Sequence, residues 1–535
     1  MRKYIQSYPL LAIFVLYLIS YGLMLINKGV FWDDWTIYNM DMEGLKEAFV
    51  QQGAFYITNF HVLFQSFCNN APLLYHALIF IFYFGTVCLF YKTLSFFNFD
   101  KTNQFIATSF FAVIPINVSR IYMICMPYTM GLFFCFVAIF LFTLSFYRKK
   151  IVVRIAALLS CIASYLLLPS TFVFFPTFIA FLVFISTFNE EKSWKKNLQN
   201  FFCKILKYGD FILLTVGTRI WMMLYTTPSG LHAAADYNNI TWKALILFPL
   251  NLICSFVETF TQLLHFEDSI LIVLIFTILL PLLLIAFSKK RIELPNAHTN
   301  KYAFSLKSRS VSLSKYTIWG LYFFIAGAFA YLAVNKMPGY IPIISRFQTL
   351  LGVGISLLLL DFLTHCINRK YQKTTYIILI TFFITANIGN SLVFQRLHYK
   401  QLAIMIEMGK SKEIEQGKNF IVNDNTARYN ETPYLLAYYS YSGMAKKVFN
   451  TQTRLLVDQA FYNAIDKKWL KESFTNTKDI DLERDFDYCI NISSGERKLT
   501  YDNVVKLIIM EMLSKQKFEE ELHKVIHLEC VPYNK

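Results

Sequence analysis

The chain has 535 residues, of which 56% are hydrophobic and 18% aromatic, and its formal net charge is +16. Only 16% of the residues are charged, against about 25% in soluble proteins. Several apolar runs reach the roughly 20 residues that a membrane helix needs, which excludes a soluble globular protein. The positive charge does not indicate nucleic-acid binding, because Lys and Arg cluster in short loops between apolar runs, the positive-inside pattern.

The N-terminal part predicts a retained membrane helix and a long external loop. Residues 1–7 are basic and are expected in the cytoplasm. The apolar run 8–26 is expected to cross the membrane, and no small-residue cleavage site follows it. Residues 27–72 form the first external loop, in which 42–51 has apolar residues at helical spacing. That segment is predicted to lie on the membrane as a short helix.

Basic clusters in the following loops set the direction of the later helices. The run 151–188 is too long for one helix, and Pro169-Ser170-Thr171 divides it into two crossings. The predicted fold is therefore a polytopic α-helical membrane protein with about eleven crossings. Besides 8–26 and the pair in 151–188, the predicted crossings are 73–94, 105–118, a helix ending at 147, 205–225, 270–287, 316–335, 347–363 and 375–394.

A second external loop is predicted at 226–269. The helix 270–287 ends in a strongly basic loop, so it is expected to start outside the cytoplasm. The apolar segment 242–265 must then begin and end outside. Its Pro249, Asn251 and Glu258 favour a re-entrant or interfacial helix pair over a single crossing.

The composition changes near residue 395, where charged residues become frequent and long apolar runs stop. Residues 1–394 are thus predicted as the membrane domain and 395–535 as a small α/β domain. The parity of crossings places the N-terminus in the cytoplasm and this domain outside it. Its predicted elements are strands at 419–423 and 486–492 and helices at 454–474 and 501–514.

Asp33 and Asp34 are the first candidates for chemistry. They lie between Trp32 and Trp35, shortly after the first helix, and aromatic residues favour the headgroup level of a bilayer. A solvated loop is the plainer interpretation of two such carboxylates. The alternative is a general base held at the membrane surface, where it can meet a substrate hydroxyl.

Four cationic residues are predicted on or near the external side, although most others are cytoplasmic. Arg346 opens an apolar run and either extends along the membrane surface or binds a phosphate, for which its guanidinium is well shaped. Lys336 precedes it in the same short loop. Arg120 and Arg219 complete the candidate donor-phosphate site.

Tyr56, Asn59 and His61 form a weaker candidate for substrate binding, together with Trp32 and Trp35. A lone His is more often a hydrogen-bonded structural residue than a functional one. No spacing typical of zinc or calcium ligands appears. No cofactor is predicted, and the pattern leaves a divalent metal open.

These features together resemble the GT-C glycosyltransferases, and most closely the bacterial serotype-converting glucosyltransferases that modify O-antigen. The resemblance covers residues 1–394 and its only compact motif is Asp33-Asp34-Trp35. It implies a polyprenyl-phosphate sugar donor and action at the outer face of the bacterial cytoplasmic membrane. Asp33 or Asp34 would be the base and Arg346 would bind the lipid phosphate. The C-terminal domain matches no known member, which leaves the acceptor open.

The resemblance implies transfer of a hexose such as glucose, with inversion, to O-antigen, lipopolysaccharide or a wall polymer. The expected partners are the lipid-linked sugar, the glycan acceptor and membrane lipid, without nucleic acid. A transporter or flippase of lipid-linked saccharides is the main alternative, but would favour internal repeats and charges at mid-membrane. An O-antigen polymerase is the third, but would more often carry a large, late, Arg-rich external loop.

Overall fold

The chain is a multi-pass helical membrane protein with a small four-stranded sheet. The computed structural model describes residues 8–38, 42–51, 55–68, 72–189, 191–225, 240–263, 269–288, 314–339, 341–431, 436–450, 454–464 and 486–533. Among these residues, six helices are long and apolar enough to cross a membrane. They are Pro9–Ile26, Pro72–Phe97, Met123–Arg148, Trp242–Thr261, Ile270–Phe287 and Arg369–Met408.

Three shorter apolar helices, Ile151–Leu167, Thr171–Thr187 and Leu351–Cys366, accompany these six. The predicted total of about eleven crossings therefore stays a prediction. The helices of the membrane body are α1 Pro9–Tyr21, α2 Asp34–Ile37, α3 Met42–Gln51, α4 Phe55–Cys68, α5 Pro72–Leu94, α6 Lys101–Val113, α7 Met126–Arg148, α8 Ile151–Leu167, α9 Thr171–Thr187, α10 Trp194–Ile205, α11 Gly209–Tyr225, α12 Trp242–Leu263, α13 Ile270–Ser288, α14 Lys315–Leu332, α15 Leu351–Asp361 and α16 Arg369–Met408.

Local sequence explains several of these boundaries. The short helix predicted at 42–51 is confirmed as α3. Pro169 lies in the break between α8 and α9, as predicted from the lost backbone donor of proline. Asp100 caps α6 by accepting hydrogen bonds from the backbone N–H groups of Thr102 and Asn103.

The prediction for residues 242–265 is wrong in one respect. The expected pair of helices is a single helix, α12, which continues through Pro249. Many of its apolar side chains are exposed. A proline inside a helix removes one backbone hydrogen bond and can kink the helix without ending it. Here α12 packs against α14.

Helix α16 differs most from its prediction. A crossing was expected at 375–394, but α16 is one helix of 40 residues. At 1.5 Å per residue it is about 60 Å long, roughly twice the hydrocarbon thickness of a bilayer. It passes without a break through the predicted domain boundary at residue 394. Its C-terminal part packs against the C-terminal elements.

The C-terminal elements form a sheet flanked by helices. The sheet has the order β2-β1-β3-β4, with β1 parallel to β2 and β3, and β3 antiparallel to β4. The strands predicted at 419–423 and 486–492 and the helix at 501–514 are confirmed, within two residues. The elements are α17 Lys412–Gln416, β1 Asn419–Asp424, α18 Tyr438–Phe449, β2 Leu455–Asp458, α19 Gln459–Ala464, β3 Tyr488–Ser494, α20 Tyr501–Leu513, α21 Lys515–Leu522 and β4 Ile526–Pro532.

The helix predicted at 454–474 is wrong at its start. Residues 455–458 form β2, whose Leu455, Leu456 and Val457 are fully buried. A short apolar run buried on both faces is typical of a strand with parallel neighbours. A short helix, α19, follows it, and residues 465–474 lie outside the described part of the chain.

One hydrophobic core joins the loop after α1 to the C-terminal elements. It contains Phe31 and Trp35 from the loop, Leu397 from α16, and Tyr441 and Met444 from α18. A separate core fills the membrane helices. The loop with the two aspartates is therefore packed between the membrane body and the sheet, and not extended into solvent.

Candidate functional site

A tight turn at Trp32 gives Asp33 and Asp34 different surroundings. The backbone φ of Trp32 is +47°, a conformation that bulky residues rarely adopt. The Asp34 N–H donates to the Phe31 carbonyl at 2.9 Å and the Trp35 N–H donates to the Trp32 carbonyl at 3.1 Å. Such backbone strain costs about 1–3 kcal/mol and persists only where the surroundings hold it.

Asp34 holds the loop to the segment between α6 and α7. Its side chain is fully buried and accepts hydrogen bonds from three backbone N–H groups. The donors are Phe31 at 3.4 Å, Met123 at 3.0 Å and Ile124 at 2.8 Å. Burial raises the pKa of Asp34 to about 8, and the three donors oppose that rise. The carboxyl group of Asp34 is fully buried and already accepts three hydrogen bonds, so a substrate cannot reach it.

Asp33 is half-buried. Its carboxylate lies in a separate group of side chains, called here the Asp33 cluster, with Tyr439, Arg346 and Lys336. The Tyr439 hydroxyl donates to Asp33 Oδ1 at 2.9 Å. Burial raises the pKa of Asp33 to about 6, while the Tyr439 hydrogen bond and the positive charge of Arg346 oppose the rise. A partly accessible carboxyl group with a pKa near neutrality suits a general base.

Arg346 and Lys336 lie in the same cluster as Asp33. The guanidinium carbon of Arg346 is 5.7 Å from the ring centroid of Trp32 and 5.1 Å from that of Phe347. Lys336 Nζ is 5.5 Å from the Phe347 centroid. Burial, and then the Arg346 charge, lower the pKa of Lys336 to about 8. The two positive charges repel each other, and an anionic ligand beside both would relieve that repulsion.

Arg120 does not lie in this cluster. Its side chain is buried between two aromatic rings, 3.8 Å from the Tyr83 centroid and 4.4 Å from that of Tyr21. It donates to the Tyr21 hydroxyl at 2.6 Å and to the Asn117 carbonyl at 3.1 Å. These contacts make Arg120 a structural link between α1, α5 and the α6–α7 segment.

The remaining predicted site residues outside the aspartate loop lie on helices α4 and α11. Arg219 is exposed on α11, which packs against α8 and α9. Asn59 is exposed on α4. His61 is fully buried, stacks on Phe49 with ring centroids 5.2 Å apart, and has a pKa lowered to about 4 by burial. The side chain of Tyr56 lies outside the described part of the chain.

Trp32 and Trp35 have different environments. Trp32 is half-buried, with its ring edge-on to Tyr122 at a centroid distance of 6.3 Å, and it reaches the Arg346 side of the cluster. Trp35 is buried and packs against Gly443 of α18, where a Cβ atom would meet its ring at 2.8 Å. Trp32 is thus placed to contact a ligand, and Trp35 joins the loop to the C-terminal domain.

Tyr439 is the site residue that sequence reasoning missed. It belongs to the C-terminal domain, 406 residues from its partner Asp33. The local signal was the run Tyr438-Tyr439-Ser440-Tyr441, dense in hydroxyl groups. Tyr439 is half-buried on α18, and its hydroxyl reaches the aspartate loop at Asp33.

The part of the chain that the structure describes contains no group of three or more His, Cys, Asp or Glu residues able to hold a metal ion. The Asp33 cluster contains a carboxyl group with a raised pKa, a hydroxyl donor and two cations. No model of a known protein family matches the chain, and no characterised protein matches its sequence.

Proposed function

We propose that the chain is an inverting integral membrane glycosyltransferase. It moves a hexose such as glucose from a polyprenyl-phosphate donor to a glycan acceptor of the cell surface, an O-antigen, lipopolysaccharide or wall polymer. It acts at the outer face of a bacterial cytoplasmic membrane, with its N-terminus in the cytoplasm and its C-terminal domain outside. The observation that carries the proposal is the cluster of half-buried Asp33 with Arg346 and Lys336.

In the proposed reaction the carboxylate and the two cations of this cluster have different roles. Asp33 takes the proton of the acceptor hydroxyl while its oxygen attacks the anomeric carbon. The bond between that carbon and the phosphate oxygen breaks, and its electron pair leaves with the polyprenyl phosphate. Arg346 and Lys336 stabilise the negative charge that develops on the leaving phosphate.

Asp33 fits the role of base better than Asp34. Asp34 is fully buried and already accepts three backbone N–H groups, so a substrate hydroxyl has no free approach. Asp33 is half-buried and has a pKa raised to about 6. It is therefore mostly ionised at neutral pH, yet basic enough to accept a proton in the transition state.

The deciding experiment uses the full-length protein in lipid nanodiscs with a polyprenyl-phosphate hexose. Polysaccharide extracted from the envelope of a deletion strain serves as acceptor, and the release of polyprenyl phosphate is measured. Asp33→Asn removes the base and is expected to lower turnover by about 10²–10⁴-fold. Asp502→Asn, at an exposed position of α20, is the matched control and is expected to keep full activity.

The outcomes separate the three candidate functions. Transport of the lipid-linked sugar without release of polyprenyl phosphate would contradict glycosyl transfer and support a flippase. Turnover of only a diphosphate-linked donor would support a polymerase. Transfer at the wild-type rate by Asp33→Asn would contradict the assignment of Asp33 as the base.

A further inference from the structure

The exposed apolar side chains of the C-terminal elements are concentrated at the end of α20. Among the described residues after 408, four large apolar side chains are exposed, and three of them belong to the last five residues of this helix. Ile509 is 50% exposed, Met512 71% and Leu513 80%. Their spacing of three and four residues places them on one face, called here the α20 patch. The described residues leave this face uncovered, while Val504 and Leu507 of the same helix are fully buried.

An ion pair places this end of α20 beside a membrane helix. Lys28 lies two residues beyond Ile26, the last residue of the first helix that is long and apolar enough to cross a membrane. Its Nζ atom donates to Glu511 Oε1 at 2.7 Å. A residue that directly follows a membrane helix lies at the headgroup level of the bilayer. Glu511, which its side chain reaches, is therefore close to that level too.

Helix α16 gives the same height for Glu511 independently. The Tyr399 hydroxyl donates to Glu511 Oε2 at 2.8 Å. The apolar part of α16 ends near Phe394, after which Gln395 and Arg396 follow. Tyr399 is five residues beyond Phe394, which is about 7.5 Å along the helix axis. The headgroup region extends about 5–8 Å beyond the hydrocarbon core, so this contact also lies at the headgroup level.

Two contacts between α20 and α16 show how α20 is oriented. The guanidinium carbon of Arg396 is 5.0 Å from the ring centroid of Tyr501, the first residue of α20. The second contact is the hydrogen bond from Tyr399 to Glu511. Between these contacts the axis of α20 advances about 15 Å, whereas that of α16 advances only about 4.5 Å. Because α16 spans the membrane, α20 lies closer to the membrane plane than to its normal, as interfacial helices do.

Lysines lie on both sides of the α20 patch along the chain. Lys506 precedes Ile509 by about one turn, and Lys515 follows Leu513 by two residues. Both lysines are exposed, and Lys515 Nζ also lies 3.6 Å from Glu519 Oε1. Lysine side chains beside apolar residues can extend to the phosphates of anionic lipids. The patch and its lysines therefore match the chemistry of a lipid surface.

We propose that the α20 patch docks on the bilayer, with its three apolar side chains inserted into the leaflet beside Lys28. Lys506 and Lys515 contact anionic headgroups. The occupant is lipid and not a second copy of the chain, because the contacts of Glu511 with Lys28 and Tyr399 hold the patch at the bilayer surface. The docking depends on the membrane location of the chain and not on its proposed glycosyl transfer.

The test replaces Met512 by the photocrosslinking residue p-benzoylphenylalanine in the full-length protein. The protein is placed in nanodiscs of phosphatidylethanolamine and phosphatidylglycerol and irradiated, and mass spectrometry identifies the molecule joined to residue 512. We expect lipid adducts, with a yield about tenfold above that from the same photocrosslinking residue at Lys412. Lys412 is the matched control, since it is exposed and follows the far end of α16, about 21 Å beyond Phe394 along the axis.

A charge within the patch should weaken the docking. Leu513→Glu, combined with the photocrosslinking residue at 512, is expected to lower the lipid yield about fivefold. Leu513→Met keeps an apolar side chain and should keep the yield. An undiminished yield in the Leu513→Glu variant would contradict the docking.

Two other outcomes would also overturn the proposal. One is a lipid yield at 512 no higher than at Lys412. The other is crosslinking of 512 mainly to a second copy or to another segment of the same chain. If the variant at 512 does not fold, as judged by its melting temperature, the photocrosslinking residue is placed at Ile509 and judged by the same criteria.

Discussion

Asp33 and Asp34 are adjacent in sequence but differ in what surrounds them. The positive φ of Trp32 turns the chain so that Asp34 meets three backbone N–H groups while Asp33 meets the Tyr439 hydroxyl and the charge of Arg346. From the sequence alone, either aspartate could be the base. The separation of their roles follows from burial and hydrogen bonding, which no local pattern encodes.

The first prediction at this scale concerns pH. Asp33 acts as a base only when ionised, and its pKa is raised to about 6. Below pH 6 the turnover rate should therefore fall about tenfold per pH unit, and above it the rate should level off. The measurement is kcat in nanodiscs between pH 4.5 and 7.5. A rate independent of pH across this range would contradict Asp33 as the base.

A second prediction concerns Lys336, whose pKa is lowered to about 8. Above pH 8 its ammonium loses its proton, so the KM for the phosphate-bearing donor should rise. Lys336→Arg keeps the charge at high pH, because an arginine guanidinium is not deprotonated, and should abolish that rise. The KM for the donor is measured from pH 7 to 9.5 in both proteins. A rise retained by Lys336→Arg would show that another group causes it.

At the scale of elements, the loop after α1 is held by polar contacts to its neighbours. Asp34 binds the segment between α6 and α7. His76 of α5 adds a second link, with its ring nitrogens 2.8 Å from the carbonyl oxygens of Asn27 and Ile121. These contacts fix the loop, the start of α5 and the segment between α6 and α7 to one another.

Asp34→Asn tests this structural role. At pH 9, above the raised pKa of Asp34, the wild-type carboxylate only accepts hydrogen bonds, whereas an Asn side chain directs an NH₂ group at a backbone N–H and leaves a buried donor unsatisfied. The expected loss of stability is about 1–3 kcal/mol, seen as a lower melting temperature in detergent. Asp33→Asn, in contrast, should melt like the wild type. An unchanged melting temperature for Asp34→Asn would contradict the structural assignment.

Sequence predicts the apolar helices well because their length and the position of proline are set locally. It fails at α16 because the residues after 394 are polar and resemble the end of a crossing. In the structure Gln395, His398 and Lys400 are buried against the C-terminal domain, so the helix continues. The helix predicted at residues 455–458 was wrong for a similar reason, because a short apolar run is compatible with a strand or a helix until its neighbours are known.

In the candidate site, too, sequence indicates the residues with a local signal and misses those that only tertiary packing brings together. Arg346 and Lys336 were predicted as site residues because a cation away from the basic loops is conspicuous in sequence. Tyr439 was not found because only the packing of α18 brings it to Asp33. Arg120 looked equivalent to Arg346 in sequence, but in the structure it is enclosed by Tyr21 of α1 and Tyr83 of α5, which are distant in sequence.

At the scale of the molecule, Asp33, the proposed base, belongs to the membrane body and its partner Tyr439 to the C-terminal elements. The two parts share one core through Trp35 and α18. Their relative position therefore determines whether Asp33 has its hydrogen bond. The C-terminal domain is in this respect a component of the candidate site.

Gly443→Leu tests this dependence. A Cβ atom at Gly443 would meet the Trp35 ring at 2.8 Å, so a Leu side chain should displace α18 and separate Tyr439 from Asp33. Turnover is expected to fall at least tenfold, with a smaller effect for Gly443→Ala. Gly209→Leu is the control, because a Cβ atom there meets nothing within 4 Å. Equal turnover by Gly443→Leu and the wild type would contradict the coupling.

The unbroken course of α16 limits how this chain can change in evolution. Each residue added or removed between 394 and 400 would rotate the C-terminal domain by about 100° and shift it by about 1.5 Å relative to the membrane helices. No flexible linker lies there to absorb such a change. Loops elsewhere can vary in length, but this segment of helix must keep its number of residues for Tyr439 to face Asp33.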